Sequence, residues 1–226
     1  MMVSVYGDSL LKGVYLSGER YAVCSDRAAE FARAHGIELM NRSCFGATVE
    51  KGLRRLESDV RGGAPLGDCT VLGFGGNDCD FDWSEVAADP AGEHLCKVPP
   101  ERFTALLGRA VSLIRSAKGD PFLTVPPPID PERYLDWICR RGLDRSRVLA
   151  WLGDVNAIYR RQELYAGLVR RVGEACRVPL IDLRDAFLSR RRMDGLLCAD
   201  GIHPTPAGHD LILSAFDGFL RSRRAS

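Results

Sequence analysis

Met2-Val3-Ser4-Val5-Tyr6-Gly7-Asp8-Ser9-Leu10 is a short apolar run that breaks at a glycine and an aspartate and leaves a serine just beyond them. Strand-forming residues bounded by turn formers mark a β-strand, here Met2 to Tyr6. The same signature returns at Ile37 to Asn41, Thr70 to Phe74, Pro121 to Val125 and Pro179 to Leu183. Between these runs, apolar residues recur at three- and four-residue spacing over Arg27 to His35, Val49 to Val60, Pro100 to Lys118 and Leu149 to Cys176. That period belongs to amphipathic helices packed on a sheet. A last helix is expected from Thr205-Pro206, a capping residue followed by a first-turn proline, to about Leu220. Strands alternating with helices give a parallel sheet with crossover connections, and ligands bind such sheets beyond the carboxyl ends of the strands. Ser9 stands at that edge.

At 226 residues, with 46% hydrophobic and 27% charged residues, the chain has the size and composition of one domain over 1–226 with a substantial core. Its formal charge of +1, from 31 Lys and Arg against 30 Asp and Glu, gives no net field toward nucleic acid or an anionic membrane. The opening residues carry no basic leader or apolar stretch of signal-peptide length, and no later run approaches the ~20 apolar residues that span a bilayer. A cytoplasmic protein is the expectation. Eight cysteines form no C-x-x-C pair and no short-chain disulfide framework, so they are expected to be mostly reduced thiols. The basic triplet Arg190-Arg191-Arg192 and the RSRR run from Arg221 are expected to be solvated.

Four segments carry chemistry. A turn at Gly7-Asp8-Ser9-Leu10 can present a hydroxyl while N–H groups at the start of the next helix face a developing anion, although alone it reads equally well as a helix cap. Asp200-Gly201-Ile202-His203-Pro204 offers an acid three residues from an imidazole. A serine needs such a base, and the base works best when a carboxylate fixes its tautomer. A turn Asp beside a surface His is the alternative. Gly73-Phe74-Gly75-Gly76-Asn77-Asp78 follows a strand with glycines and a neutral amide donor, and contains neither a dinucleotide fingerprint nor a phosphate-loop Lys. Asn41-Arg42-Ser43-Cys44-Phe45-Gly46-Ala47-Thr48 can offer the Gly46 N–H to the same oxyanion.

In their order and placement these segments resemble the four blocks of the SGNH hydrolases, the GDSL esterase/lipase superfamily. Gly7-Asp8-Ser9-Leu10 matches the first block and Gly46 the second. Gly75-Gly76-Asn77-Asp78 matches the third as G-x-N-D, and Asp200-x-x-His203 the last. The resemblance spans almost the whole chain. It implies an α/β fold, a flavodoxin-like three-layer α/β/α sandwich with a five-stranded parallel sheet in the order 2-1-3-4-5, and no cofactor or metal. It also implies Ser9 as nucleophile, His203 as general base, Asp200 as its orienting acid, and an oxyanion hole of the Ser9 and Gly46 N–H groups with the Asn77 amide. The G-x-S-x-G elbow of the larger α/β-hydrolases is absent.

Asp8 and Asp78 are expected to brace their turns through backbone hydrogen bonds, and His35, His94 and His209 to play no part, His209 as an exposed or helix-start residue. Two connections, at about 79–99 and 126–148, exceed what the fold needs and read as lid, specificity or dimer elements. Their aromatics Phe81, Trp83, Tyr134 and Trp137 can line a pocket or simply pack, and packing is expected for at least half of them. Cys79, Asp80, Asp82, His94 and Cys96 include zinc-type ligands, but at irregular spacing that argues against a metal. Cys44, Cys79 and Cys198 lie beside the motifs, where thiol-reagent sensitivity of the activity is one reading and packing by small core residues is the expected one. The expected activity is hydrolysis of a small-molecule ester, a short acyl group such as acetyl on a carbohydrate or other small polar alcohol, with a possible homo-oligomer and no nucleic-acid or membrane partner. A lysophospholipase or thioesterase of the same fold and a catalytically silent carbohydrate-binding domain are the alternatives.

Overall fold

Val3 and Val5 lie on one face of the first strand and Tyr6 on the other, so each face of that strand needs its own cover. A computed structural model describes residues 1–224, with side chains to Arg221, so the rest of the RSRR run lies outside the described side chains. Strand β1 (Met2–Gly7) pairs in parallel with β4 (Glu38–Asn41) on one side and β5 (Cys69–Gly73) on the other. Beyond β5 come β6 (Pro121–Val125) and β7 (Leu180–Asp182), also parallel. The sheet order β4-β1-β5-β6-β7 is the expected 2-1-3-4-5 when its five strands alone are counted.

Tyr6, Leu72, Leu123 and Val125 face a core shared with helices α3 (Val49–Arg61), α5 (Pro100–Ser116) and α8 (Asn156–Cys176). Val5, Val71, Phe122 and Ile181 face the opposite core, closed by α9 (Leu183–Leu188) and α10 (Pro206–Arg224), with α2 (Ser25–Ala34) against β4. The three layers follow from burying both faces of a parallel sheet. At the carboxyl edge, β1 and β5 end in register on Gly7 and Gly73. A Cβ on Gly73 would lie 2.3 Å from Leu11 Cδ1, so the bare backbone lets the turn after β1 settle on the sheet.

Four features were not anticipated, the first being the short helix α9, which begins at Leu183 where the strand was expected to end. A hairpin, β2 (Val14–Ser17) and β3 (Arg20–Val23), follows the four-residue helix α1 (Ser9–Lys12), its strands antiparallel around Gly18. The helix expected over Leu149 to Cys176 is two helices, α7 (Arg145–Leu152) and α8, because Gly153 adopts φ +77° and Asp154 takes the Asn156 N–H. Each long connection contains a helix, α4 (Trp83–Ala88) in the first and α6 (Pro131–Cys139) in the second.

The two connections pack on each other. The Arg147 guanidinium bonds the carbonyls of Ala87 and Ala88, and Trp151 Nε1 donates to Gly92 O at 3.2 Å. Trp83 donates to the Tyr134 hydroxyl at 3.2 Å. Together they wall one side of the carboxyl edge. Among the described residues, no helix is long and apolar enough to cross a membrane.

Candidate active site

Ser9 follows β1 directly. Asp8 is the N-cap of α1, its Oδ1 accepting the Leu10 N–H at 2.9 Å, so Ser9 is the first helical residue and its own N–H has no partner within the helix. His203 comes from the loop before α10. There Asp200 Oδ1 accepts the N–H groups of Ile202 (3.2 Å) and His203 (3.1 Å), and the Cys198 N–H closes the loop on His203 O at 2.8 Å. Gly201 turns this loop at φ +73°, and a Cβ there would lie 2.5 Å from Asp130 O.

These two turns bring Ser9 Oγ to 2.9 Å from His203 Nε2, and His203 Nδ1 to 2.7 Å from Asp200 Oδ2. An ionised carboxylate only accepts, so Nδ1 carries the imidazole proton and Nε2 is left to accept the Ser9 O–H. Burial alone would raise the Asp200 carboxyl, but the hydrogen bonds and charge of His203 outweigh it and hold Asp200 below the usual carboxylate range.

Gly46, at φ +66°, and Asn77 line the same cavity as Ser9 and His203. One Asn77 Nδ2 hydrogen is aimed at Asp8 Oδ2, 3.3 Å away, which orients the amide and leaves its second hydrogen for a ligand. Asp78 accepts the Val49 N–H at 2.8 Å and the Gly75 N–H at 2.9 Å, tying the turn that carries Asn77 to the helix that follows Gly46. Both aspartates brace backbone as expected; the Asp8 contact with the Asn77 side chain is additional.

The pattern that defines the GDSL-like Lipase/Acylhydrolase family matches residues 5–211. The chain belongs to that family. This GDSL-family protein is therefore a carboxylic-ester hydrolase. Its fold is shared with the lipase/acylhydrolase from Enterococcus faecalis, at 25% identity over 98% of this chain and 96% of that one, with a TM-score of 0.67. An α/β-hydrolase enzyme from the metagenome of Lake Arreo, Spain, is 26% identical over 95% and 92% of the chains, TM-score 0.63. An acetylxylan esterase from Geobacillus stearothermophilus shares the fold at 20% identity over 95% and 91%, TM-score 0.65. A search of curated proteins finds no match.

Several residues of this hydrolase's site carry no spacing signal in the sequence. Tyr21, on β3, donates from its hydroxyl to Asp200 Oδ2 at 3.2 Å, and its ring lies 4.9 Å from the His203 ring. Burial and the Asp200 charge push its phenol up to about 12, so it stays protonated and donates. The hairpin is held there by Cys198, whose Sγ accepts the Leu16 N–H at 3.3 Å. Phe45, next to Gly46, stacks on His203 with ring centroids 5.8 Å apart.

The remaining histidines lie outside the site. His35 meets Asp217 at 2.9 Å and stacks on Phe31, and His94 bonds Asp89 O. The expectation of an exposed His209 is corrected. It is buried, with Nε2 2.9 Å from Val14 O, because the inward face of α10 packs on the hairpin base, and burial holds its imidazole below the usual histidine range.

The residues considered as zinc ligands are otherwise engaged. Asp82 caps α4, Asp80 meets Trp83, Tyr134 and Lys97, and Cys96 meets the Tyr165 hydroxyl. Among the described residues, no three His, Cys, Asp or Glu converge as a metal site. Burial pushes the Cys79 and Cys198 thiols up, away from reactive thiolates, while Cys44 is exposed. Phe81, Trp83 and Tyr134 are buried and Trp137 is half-buried, so packing dominates, yet all four also line the cavity.

Burial lifts the Asp8 carboxyl to about 6 and, with help from Asp8, that of Asp78 to about 7. The folded chain thus keeps the Asp78 proton to about pH 7, whereas an exposed carboxyl has lost it by about pH 4. Unfolding in that interval releases a proton, so this group's contribution to stability is lost as pH rises through about 7. The urea midpoint of the wild type relative to Asp78→Asn should therefore decline from pH 5 to pH 8. Taking the difference removes the opposing contribution of His209, which both proteins share. A difference that stays flat with pH refutes the raised Asp78.

Proposed function

We propose that this hydrolase cleaves short-acyl esters of a polar, ring-shaped alcohol through an acyl-enzyme on Ser9. The observation that carries the reading is the unbroken chain of hydrogen bonds from Ser9 Oγ through His203 to Asp200 at the mouth of a cavity of about 300 Å³. In the proposed reaction, His203 Nε2 takes the hydroxyl proton as Ser9 Oγ bonds to the ester carbonyl carbon. The N–H groups of Ser9 and Gly46 and the free hydrogen of the Asn77 amide stabilise the oxyanion. The C–O bond to the alcohol then breaks, and the alcohol leaves with the proton held on Nε2. Water deprotonated by the same nitrogen attacks the acyl-enzyme, releasing the acid and restoring Ser9. Asp200 steadies the imidazolium at both stages.

The substrate class rests on the rim. Tyr21 and Phe45 are 40% and 54% exposed and flank the His203 ring, and Trp137, edge-on to Tyr21, lines the same cavity. Such aromatic faces stack on flat or pyranose rings and leave hydroxyls in water. The acetylxylan esterase of the same fold agrees with an acetylated sugar as a substrate class. Within the cavity the Arg161 guanidinium disfavours a long apolar chain, which weighs against the lysophospholipase or thioesterase reading. Nitrophenyl esters from acetate to palmitate, run beside peracetylated mono- and disaccharides, test the reading. Activity that falls beyond butyrate together with acetate release from the sugars supports it. A maximum at octanoate or longer overturns it in favour of the lipid-directed alternative.

A further inference from the structure

Arg161 lies on α8 and is half-buried in the wall of the cavity that holds Ser9 and His203. Its guanidinium carbon stands 5.3 Å from the centre of the Phe81 ring. No carboxylate or hydrogen-bond acceptor among the described residues pairs with it. Its neighbours along the helix differ: Arg160 is paired with Asp154, Arg170 with Asp182, and Glu163 is taken by Arg184 and Arg170.

The two carboxylates of the cavity with which it could pair are already engaged. Asp80 accepts from Trp83 Nε1 at 2.9 Å and from the Tyr134 hydroxyl at 2.8 Å, and its second oxygen meets Lys97 at 2.7 Å. Asp8 accepts from Leu10 and Asn77. A second cation, Arg140, lies over the Trp137 ring at the rim, 3.1 Å from its centre. Arg161 is thus the guanidinium of the cavity wall without a counter-charge of its own, while Arg140 lies outside it over the lining Trp137.

We propose that Arg161 binds an anionic group of the substrate, a carboxylate or phosphate carried on the ester, and that this hydrolase selects acidic esters over neutral ones of the same size. This rests on the serine-esterase reading. A guanidinium half removed from water against apolar walls binds a carboxylate through two parallel N–H bonds, and the low local dielectric strengthens the pair. The Phe81 face holds the fork in place until that group arrives.

Two matched pairs of esters separate the sources of the charge. Monoethyl succinate against ethyl 4-methylpentanoate places the carboxylate on the acyl side, and 4-acetoxybenzoate against 4-isopropylphenyl acetate places it on the alcohol side, each neutral partner carrying an isopropyl group of the carboxylate's size. The wild type should favour the acidic member of at least one pair by about ten-fold in kcat/KM, mostly through KM. That ratio should drop toward one in Arg161→Met and fall with added salt in the wild type, which is read without any variant. A wild-type ratio at or below one in both pairs overturns the proposal, as does a ratio unchanged by Arg161→Met. Labelling of wild-type Ser9 by an uncharged fluorophosphonate reports the esterase chemistry separately, so loss of the selectivity and loss of the serine mechanism remain distinguishable.

Discussion

Ser9→Ala should lower ester turnover by about four to six orders of magnitude while leaving the fold intact. Ser9 Oγ is the hydroxyl placed 2.9 Å from His203 Nε2, so in the proposed reaction its removal leaves the base with no nucleophile to activate. The fold should tolerate the change because Asp8, not Ser9, caps α1, and alanine is the best helix former for the position Ser9 occupies. The residual rate reflects water attack assisted by the remaining oxyanion donors. Covalent labelling by a fluorophosphonate should disappear with the activity, while the thermal midpoint stays within a few degrees of the wild type. Labelling that persists in Ser9→Ala would assign the nucleophile to another residue.

What the sequence revealed of this site was whatever is written locally. Ser9, Asn77 and the Asp200–His203 pair each follow a strand or precede a helix within a few residues, so strand punctuation and the short Asp-x-x-His spacing placed them at one edge. The strands were legible for the same reason: Pro121–Val125 is bounded by Asp120 and Pro126, and its apolar run cannot extend further.

The hairpin was not legible, because its strands are four residues each, β3 is mostly exposed, and neither has a strong apolar alternation. Tyr21 was lost with it; nothing in Arg20-Tyr21-Ala22-Val23 indicates that its hydroxyl meets Asp200, 179 positions away. Arg161 was hidden within a helix rich in arginine, and what distinguishes it, a half-buried place in the cavity wall without a paired carboxylate, is set by the fold. His209 read as exposed from its place near the start of α10, but the face of that helix is set by the partner it packs on. The break between α7 and α8 rests on the φ of Gly153, and a lone glycine inside an apolar period is tolerated in many helices.

Asp200→Asn should lower kcat by about ten-thousand-fold with little change in KM, although the two side chains are nearly isosteric. Asp200 is fully buried, and both of its oxygens are engaged: Oδ1 by the N–H groups of Ile202 and His203, Oδ2 by His203 Nδ1 and the Tyr21 hydroxyl. An amide has one accepting oxygen. If that oxygen keeps the two backbone N–H groups, the NH₂ faces Nδ1, and two donors cannot share that 2.7 Å contact. The imidazole then moves its proton to Nε2, which points at Ser9 Oγ and can no longer accept from it. The flipped amide would preserve Nδ1–H but set its NH₂ against two backbone donors and disrupt the loop that carries His203. The first arrangement keeps the turn, so the variant should fold and bind substrate while its base sits in the wrong tautomer. Labelling at Ser9 should slow in proportion to kcat, since both need the same proton transfer. Because the two residues act in one unit, Ser9→Ala combined with Asp200→Asn should be no slower than Ser9→Ala alone. Asp200→Asn activity within ten-fold of the wild type, or a double variant far slower than Ser9→Ala, would show that Asp200 does not set the His203 tautomer for Ser9.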